Sequence, residues 1–190
     1  MTAVQVEETE LPGVLLLTPR RFGDDRGWFS EVWNKTTLLD AGIDLDFVQD
    51  NHSFSAEVGT LRGLHFQSPP RAQDKLVRVA RGKIWDVAVD FRQGSPHFGK
   101  WVGRELSAEN GAQLLVPKGF LHGFVTQAPN TEVLYKCTDT YAPDCDGSVR
   151  FDDPDLGIDW RLDGRSAILS AKDEAAVAFK DARTPFVFEG

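Results

Sequence analysis

Residues 59–79 hold a dense group of side chains that could carry acid–base chemistry and bind an anion. His65 supplies an imidazole, and Arg62 and Lys75 supply cations on what we predict to be two neighbouring strands. Histidine titrates near neutral pH and can act as a general base, and a fixed cation can stabilise a developing oxyanion. The same residues could also be a hydrogen-bonded core histidine and two solvated strand cations, and this stretch alone favours neither interpretation.

The composition of the whole chain limits the possible partners. The 190 residues include 21 Lys and Arg against 29 Asp and Glu, a formal net charge of −8 at pH 7. This acidic balance disfavours nucleic acid and anionic membranes as partners, so an anionic ligand must be met by a local group of cations. No apolar run reaches the roughly 20 residues that a membrane helix needs.

The N-terminus and the cysteines predict a cytoplasmic protein. Residues 1–8 lack the basic and apolar regions of a secretory signal. Cys137 and Cys145 are the only cysteines. In a reducing compartment both are expected to be free thiols.

Short strands must position the chemical groups, because they dominate the predicted secondary structure. Their number and spacing are typical of a β-sandwich or barrel, and the length suits a single domain over residues 1–190. Segments 75–80 and 83–91 flank Arg81-Gly82 and are predicted to form a hairpin. Short helices are predicted at 35–41 and after an N-cap at Ser170. The predicted strands are 14–17, 28–33, 47–55, 75–80, 83–91, 101–106, 112–116, 122–126 and 131–137.

One of these strands has a fully polar face. Alternation over residues 47–55 puts Gln49, Asn51, Ser53 and Ser55 on the same side. Such a face is either exposed to solvent or lines a ligand cavity, and the two interpretations are equally favoured.

A metal centre is not expected. The stretch Pro117-Lys118-Gly119-Phe120-Leu121-His122-Gly123 resembles the second motif of the cupin superfamily, whose metal-binding members use a His-x-His pair and a carboxylate from the first motif. Here the first-motif region is His65-Phe66-Gln67, with a single histidine. A metal needs three or four converging nitrogen or oxygen ligands. We therefore predict acid–base chemistry by side chains, without metal or other cofactor.

Nine motifs occur in order over about residues 14–175. They are Asp25-Arg26-Gly27, Gln49-Asp50-Asn51-His52-Ser53, Leu61-Arg62-Gly63-Leu64-His65-Phe66-Gln67, Lys75-Leu76-Val77-Arg78-Val79, Phe98-Gly99-Lys100-Trp101, Leu106-Ser107-Ala108-Glu109-Asn110, Pro117-Lys118-Gly119-Phe120-Leu121-His122-Gly123-Phe124, Leu134-Tyr135-Lys136 and Leu169-Ser170-Ala171-Lys172-Asp173. Together they resemble the dTDP-4-dehydrorhamnose 3,5-epimerase family. The resemblance implies an all-β, cupin-type jelly-roll barrel with short flanking helices, which works as a homodimer without cofactor. The implied reaction inverts C3 and C5 of dTDP-4-keto-6-deoxyglucose on the way to dTDP-L-rhamnose.

The resemblance also implies four catalytic residues. Both inverted carbons lie beside the C4 ketone, so loss of either proton gives an enolate with its charge on O4. The implied base is His65, oriented by Asp173, and Lys75 is the cation at O4. Inversion needs a proton from the opposite face, and Tyr135 matches the family's acid.

Further family positions imply contacts with the nucleotide sugar. Tyr141 matches the aromatic that stacks on thymine. Arg62 and His65 can face one cavity only if Gly63 permits a bulge. Asp146 stands where the family has a longer carboxylate and is assigned no contact. The implied ligand contacts are Arg26, Glu31, Gln49, Asn51, Arg62, His122, Tyr141 and Lys172.

Three alternatives remain beside the 3,5-epimerase. A mono-epimerase that inverts only C3 or only C5 would use the same His, Lys and Tyr set. A sugar-binding cupin without turnover would be favoured by loss of the base or the acid, and both His65 and Tyr135 are present. A metal-dependent cupin oxygenase is the least favoured, since it lacks ligands.

Overall fold

Fifteen β-strands and two short α-helices form the regular structure of residues 3–189, which a computed structural model describes. The chain also contains 3₁₀ turns at Pro143–Cys145 and Phe179–Asp181. The strands are β1 Val4–Glu8, β2 Leu15–Pro19, β3 Phe22–Asp24, β4 Gly27–Phe29, β5 Gln49–Ser55, β6 Leu61–Gln67, β7 Lys75–Arg81, β8 Lys83–Asp90, β9 Arg92–Gln93, β10 Trp101–Ser107, β11 Gln113–Val116, β12 Phe120–Thr126, β13 Thr131–Cys137, β14 Asp146–Ser148 and β15 Phe186–Val187; the helices are α1 Lys35–Asp40 and α2 Ala171–Glu174.

Two antiparallel sheets face each other and form the barrel. The first has six strands in the order β1-β2-β11-β7-β13-β5, and the second has five in the order β10-β8-β12-β6-β14. Strands that follow one another in the chain often lie in different sheets, which is the hallmark of a jelly roll. The predicted all-β jelly roll with short flanking helices is confirmed.

The predicted hairpin at Arg81-Gly82 is wrong. Strand β7 pairs with β11 and β13, whereas β8 pairs with β10 and β12 in the opposite sheet. Gly82 has φ +79°, and a Cβ there would lie 2.3 Å from Thr131 Oγ1. This glycine allows a tight corner that carries the chain across the barrel, so the two strands face each other instead of pairing.

The strands that carry His65 and Lys75 are likewise not neighbours in one sheet. Strand β6 pairs with β12 and β14 in the five-stranded sheet, and β7 lies in the six-stranded sheet. The two side chains therefore approach from opposite walls of the barrel, a consequence that local sequence pattern could not reveal.

Three apolar clusters fix the walls. One fills part of the space between the sheets and includes Val77, Ala88 and Leu114. A second covers the outer face of the five-stranded sheet, where Val87 and Leu121 pack against Trp160. The third lies outside the six-stranded sheet around α1, whose N-cap Asn34 accepts hydrogen bonds from the backbone amides of Thr36 and Thr37.

The N-terminal arm carries a small exposed hairpin of β3 and β4. The predicted strand 28–33 ends early, at Phe29, because residues 30–34 have no partner strand among the described residues. Trp28 and Phe29 keep 60% and 70% of their surface exposed. Exposed large aromatics side by side mark a surface that another chain can cover. Within residues 3–189 no helix has the length and apolar character to cross a membrane.

Candidate active site

A cavity of about 390 Å³ opens between the two sheets. This volume falls in the range of small-molecule sites. Its lining is mostly polar, in contrast to the apolar clusters on either side. The lining residues are Gln49, Asn51, His65, Phe66, Gln67, Gln73, Lys75, Tyr135, Tyr141, Asp146 and Lys172.

The six-stranded sheet supplies one wall. Asn51 lies opposite Tyr135, and Gln49 lies opposite Cys137, which in turn lies opposite Lys75. Directly opposed residues of antiparallel strands project from the same face. The polar face of β5 therefore lines the cavity through Gln49 and Asn51, which settles the two interpretations of that strand.

His65 stands on the other wall and is bonded to a buried carboxylate. Its Nε2 lies 2.5 Å from Oδ1 of Asp173, although the two residues are 108 positions apart in the sequence. The side chain of Asp173 is 3% exposed, and that of His65 is 28% exposed. The carboxylate thus fixes the ring while the imidazole stays open to the cavity.

The first turn of α2 holds Asp173 in place. Ser170 caps the helix by accepting from the Asp173 amide at 3.2 Å, and its hydroxyl donates to Asp173 Oδ2 at 2.7 Å. Burial opposes the charge of Asp173, yet hydrogen bonds from His65 and Ser170 outweigh it and lower the pKa of this carboxyl. Asp173 therefore remains an anion beside the His65 ring.

A bulge brings Arg62 to the same side as His65. The register of β6 against β12 shifts between His122 and Phe124, and Gly63 has φ +129°. A Cβ on Gly63 would lie 2.5 Å from the Gly123 Cα, so only glycine fits. Arg62 does not line the main cavity, but its charge acts on Tyr135, and its buried Nε has no hydrogen-bond partner among the described residues. The sequence-based expectation of a bulge is confirmed.

Lys75 is a cation in an environment that disfavours its charge. Burial lowers the pKa of its ammonium group, and the charge of Lys172 acts in the same direction. Cys137, Asp146 and Asp86 oppose this shift only in part. A ligand that develops negative charge beside Lys75 would restore the balance.

The environment of Tyr135 favours its protonated form. Burial raises the pKa of its phenol, the neighbouring Cys137 raises it further, and Arg62 opposes the shift. A phenol with a raised pKa keeps its proton at neutral pH and can deliver it to a carbanion.

Tyr141 and Lys172 sit at the mouth of the cavity. Tyr141 is 58% exposed and its backbone amide donates to Gln49 Oε1 at 2.8 Å. The Lys172 ammonium is bonded to Asp146, which also accepts from the Tyr141 hydroxyl at 3.3 Å. Asp146, to which the sequence assigned no contact, therefore lines the cavity and organises both residues.

Arg26 and Glu31 are not among the cavity residues. Arg26 has a side chain that is 90% exposed and pairs with Asp24. Glu31 accepts hydrogen bonds from Asn34 and Thr37 at the start of α1. Within one chain, the structure does not bring these two predicted contacts to the site.

His122 forms a second histidine–carboxylate pair beside the first. Its Nε2 lies 2.7 Å from Asp86 Oδ1, and it lines a small recess that shares Lys75 and Gln67 with the main cavity. Sequence reasoning missed Asp86 altogether. The signal was an acid flanked by apolar residues in Ile84-Trp85-Asp86-Val87.

Sequence reasoning also missed Phe66, Gln67 and Gln73 as lining residues. The amide of Gln67 is used by backbone groups, since its Nε2 donates to Thr140 O at 3.1 Å and its Oε1 accepts from the Ala142 amide at 2.9 Å. In the described part of the chain, no three His, Cys, Asp or Glu side chains are grouped so as to hold a metal ion.

Comparisons with known proteins agree on one family. A family model for dTDP-4-dehydrorhamnose 3,5-epimerase matches residues 8–181. A dTDP-4-dehydrorhamnose 3,5-epimerase from Sinorhizobium fredii is 52% identical over 162 residues, which are 85% of this chain and 83% of the relative.

Solved structures give the same result. The dTDP-4-dehydrorhamnose 3,5-epimerase of Bacillus anthracis, crystallised with TDP and PPi bound, superposes with a TM-score of 0.90 at 51% identity, covering 93% of this chain and 99% of that one. A dTDP-6-deoxy-D-glucose-3,5-epimerase from Legionella pneumophila, in complex with dTDP-4-keto-L-rhamnose, superposes with a TM-score of 0.93 at 42% identity, covering 98% and 100%.

Proposed function

The chain belongs to the dTDP-4-dehydrorhamnose 3,5-epimerase family, and on this premise we propose that its cavity inverts C3 and C5 of dTDP-4-keto-6-deoxyglucose, with dTDP-4-keto-L-rhamnose as product. One observation carries the assignment of roles. His65 and Tyr135 line one cavity from opposite sheets. Inversion requires that a proton leave one face of the sugar ring and return to the other, and a base and an acid on facing walls provide this.

His65 removes the protons. Because Asp173 accepts from Nε2, Nδ1 is left with the lone pair that attacks the C–H bond. Each deprotonation beside the C4 ketone gives an enolate, and the lowered pKa of Asp173 keeps a negative charge beside the imidazolium that forms. Asp173 is thus a positioning residue for the base.

Lys75 and Tyr135 complete the reaction. The Lys75 ammonium meets the charge that develops on O4, in a buried setting where such an interaction is worth several kcal/mol of barrier. Tyr135 returns the proton at C5 from the opposite side. The nucleotide lies toward Tyr141 and Lys172 at the mouth. Arg62, which the family resemblance assigns to the ligand, lies outside this lining and donates to Phe54 O and Ser55 Oγ.

The configuration of the product tests this function. The enzyme should convert the keto sugar nucleotide to a species inverted at both carbons, measured by proton NMR coupling constants around the ring. A product inverted at C3 or C5 alone would identify a mono-epimerase. Binding without conversion would favour a sugar-binding cupin.

Activity should survive exhaustive chelation with EDTA, because the reaction is assigned to side chains that already have other partners. His65 and His122 each use one ring nitrogen for a carboxylate, and the Gln67 amide is bonded to the backbone. Turnover before and after chelation is the measurement. Loss of turnover that one divalent metal restores would end the cofactor-free assignment.

The active unit is a homodimer in which the N-terminal arm reaches the partner's cavity. Arg26 and Glu31 match family ligand contacts yet lie away from the cavity of their own chain. The arm that carries them also exposes Phe22, Trp28 and Phe29. A second copy that receives this arm would cover the aromatics and gain the two contacts. Light scattering should therefore give twice the chain mass of 21.1 kDa.

Mixed dimers test whether Arg26 acts across the interface. Arg26→Ala and His65→Ala variants should each be impaired at low substrate concentration. After subunit exchange the mixture should regain about a quarter of wild-type activity, since half the dimers are mixed and each has one intact site. If Arg26 served its own chain, no mixed dimer would hold an intact site and nothing would be regained.

Lys75 should set the alkaline limit of activity. Its pKa lies below the ordinary lysine value, so it loses its proton earlier as pH rises, while Tyr135, with a raised pKa, keeps its own. The pH profile of kcat/KM reports groups of the free enzyme. Lys75→Arg should move the alkaline fall of deuterium exchange to higher pH, and Tyr135→Phe should leave it in place. The opposite pattern would assign the fall to Tyr135.

A cytoplasmic location fits this role. Both cysteines are free thiols, as expected in a reducing compartment.

A further inference from the structure

Asp86 is a fully buried carboxylate that the reaction described so far does not use. It lies on β8 with 0% of its surface exposed. Its Oδ1 binds His122 Nε2 at 2.7 Å, and its Oδ2 has no hydrogen-bond partner within residues 3–189. A buried carboxylate with a single partner is costly to stability, so Asp86 is a candidate for a functional role.

His122 lies directly opposite His65. The two residues are register partners on β12 and β6, so both imidazoles project from the same face of the five-stranded sheet. Each is held through Nε2 by a carboxylate, which leaves its Nδ1 free of protein partners in the part of the chain described. The site therefore contains two similar pairs side by side.

The two carboxylates differ in how many donors share their charge. Asp173 also accepts hydrogen bonds from Ser170 and from the backbone of Gly63, whereas Asp86 has His122 as its one donor among residues 3–189. A carboxylate with a single hydrogen-bond donor interacts more strongly with that donor than a carboxylate shared among several donors does. It therefore favours the charged form of the donor. The two pairs therefore differ in how far each carboxylate is directed at its own histidine.

We propose that Asp86 is a positioning residue that keeps His122 protonated on both ring nitrogens and turned toward the cavity, so that His122 joins Lys75 as a second cation at the enolate oxygen. The proposal rests on the enolate chemistry above and makes His122 a catalytic group, where the family resemblance implies a ligand contact. His122 and Lys75 line the same recess.

The charges around His122 come from every neighbouring element. Asp86 on β8 favours its protonated form; Lys75 on β7 and Lys118 before β12 oppose it, and His65 opposes it whenever it is charged. Burial lowers the pKa of Lys75, which favours the neutral form of this competing cation on β7.

Ionisation of His122 can be read directly in the wild-type protein. With ¹⁵N-labelled histidine, His122 should show two protonated ring nitrogens at neutral pH, with its signal identified by its absence from His122→Gln. Asp86→Asn keeps an oxygen acceptor but removes the charge, and should convert His122 to the neutral ring. A neutral His122 in the wild type would overturn the proposal, whether or not the variant folds.

Kinetic measurements separate a catalytic role of His122 from a role in substrate binding. Asp86→Asn should lower kcat and the rate of deuterium exchange by at least about tenfold with little change in KM, because one preorganised donor at an oxyanion is worth about 10²- to 10³-fold. A rise in KM alone would make His122 a ligand contact and overturn the proposal.

Asp90→Asn is the matched control. Asp90 lies on the same strand and is equally buried, but it binds Arg92 and Ser95 away from the cavity. This variant should lose stability and keep kcat near the wild-type value. A normal kcat in Asp86→Asn would contradict the role of Asp86 and leave the epimerase function unaffected. Absence of turnover in the wild type would contradict the proposed function and, with it, the role of Asp86.

Discussion

His65→Ala should abolish epimerisation at both carbons and should also abolish exchange of the substrate's C3 and C5 protons with solvent. Without the imidazole no enolate forms, because the other histidine bonded to a buried carboxylate within residues 3–189, His122, is assigned to hold its proton. A general base contributes about 10²- to 10⁴-fold, so a loss in this range or larger is expected. The measurement is deuterium incorporation and product formation by NMR.

His52→Ala provides the control for this experiment. His52 is the exposed histidine of β5, and it pairs with Glu132 on the outer side of the barrel. Its loss should leave turnover unchanged. Persistent exchange in His65→Ala would show that another group is the base.

Tyr135→Phe should separate proton removal from proton return. The ring remains to pack against the core cluster between the sheets, but the phenolic donor is gone. The variant should still exchange substrate protons with deuterated water, because His65 and Lys75 are intact. Inversion at C5 should fall by about 10²-fold or more for want of the acid on the opposite wall.

The ratio of exchange to inversion at C5 is the quantity to record for Tyr135→Phe. An effect on inversion below roughly tenfold is too small for a general acid and would reassign Tyr135 to packing. Equal loss of exchange and inversion would mean that the variant has damaged the base or the binding of substrate.

Much of the fold could be predicted from local pattern. The second short helix follows from its N-cap Ser170, and the main strands follow from alternation and turn residues. The hairpin predicted at Gly82 was wrong because an Arg-Gly pair can form a turn between two strands of one sheet or a corner between two sheets. The local sequence is the same in both cases. Only the pairing of β7 and β8 with other strands decides between these outcomes.

The identity of the site residues could be predicted from the sequence more readily than their positions relative to one another. Motif resemblance gave His65, Lys75 and Tyr135, but their placement on opposite walls depends on the jelly-roll topology. The contact of His65 with Asp173 spans 108 positions, which no local pattern encodes.

The remaining differences also have physical causes. Arg26 lies outside the cavity of its own chain because it sits in the exposed hairpin of β3 and β4 and pairs there with Asp24. Asp86 was overlooked because an acid within an apolar strand gives no motif, and its partner His122 becomes visible only when β8 pairs with β12.

Deuterium counting on the wild-type reaction tests the central claim most directly. The enzyme is incubated with dTDP-4-keto-6-deoxyglucose in deuterated water, and product is examined by NMR at each carbon. The account predicts that every converted molecule carries deuterium at both C3 and C5, with both centres inverted. Inversion without deuterium incorporation, or labelling and inversion confined to one carbon, would contradict it.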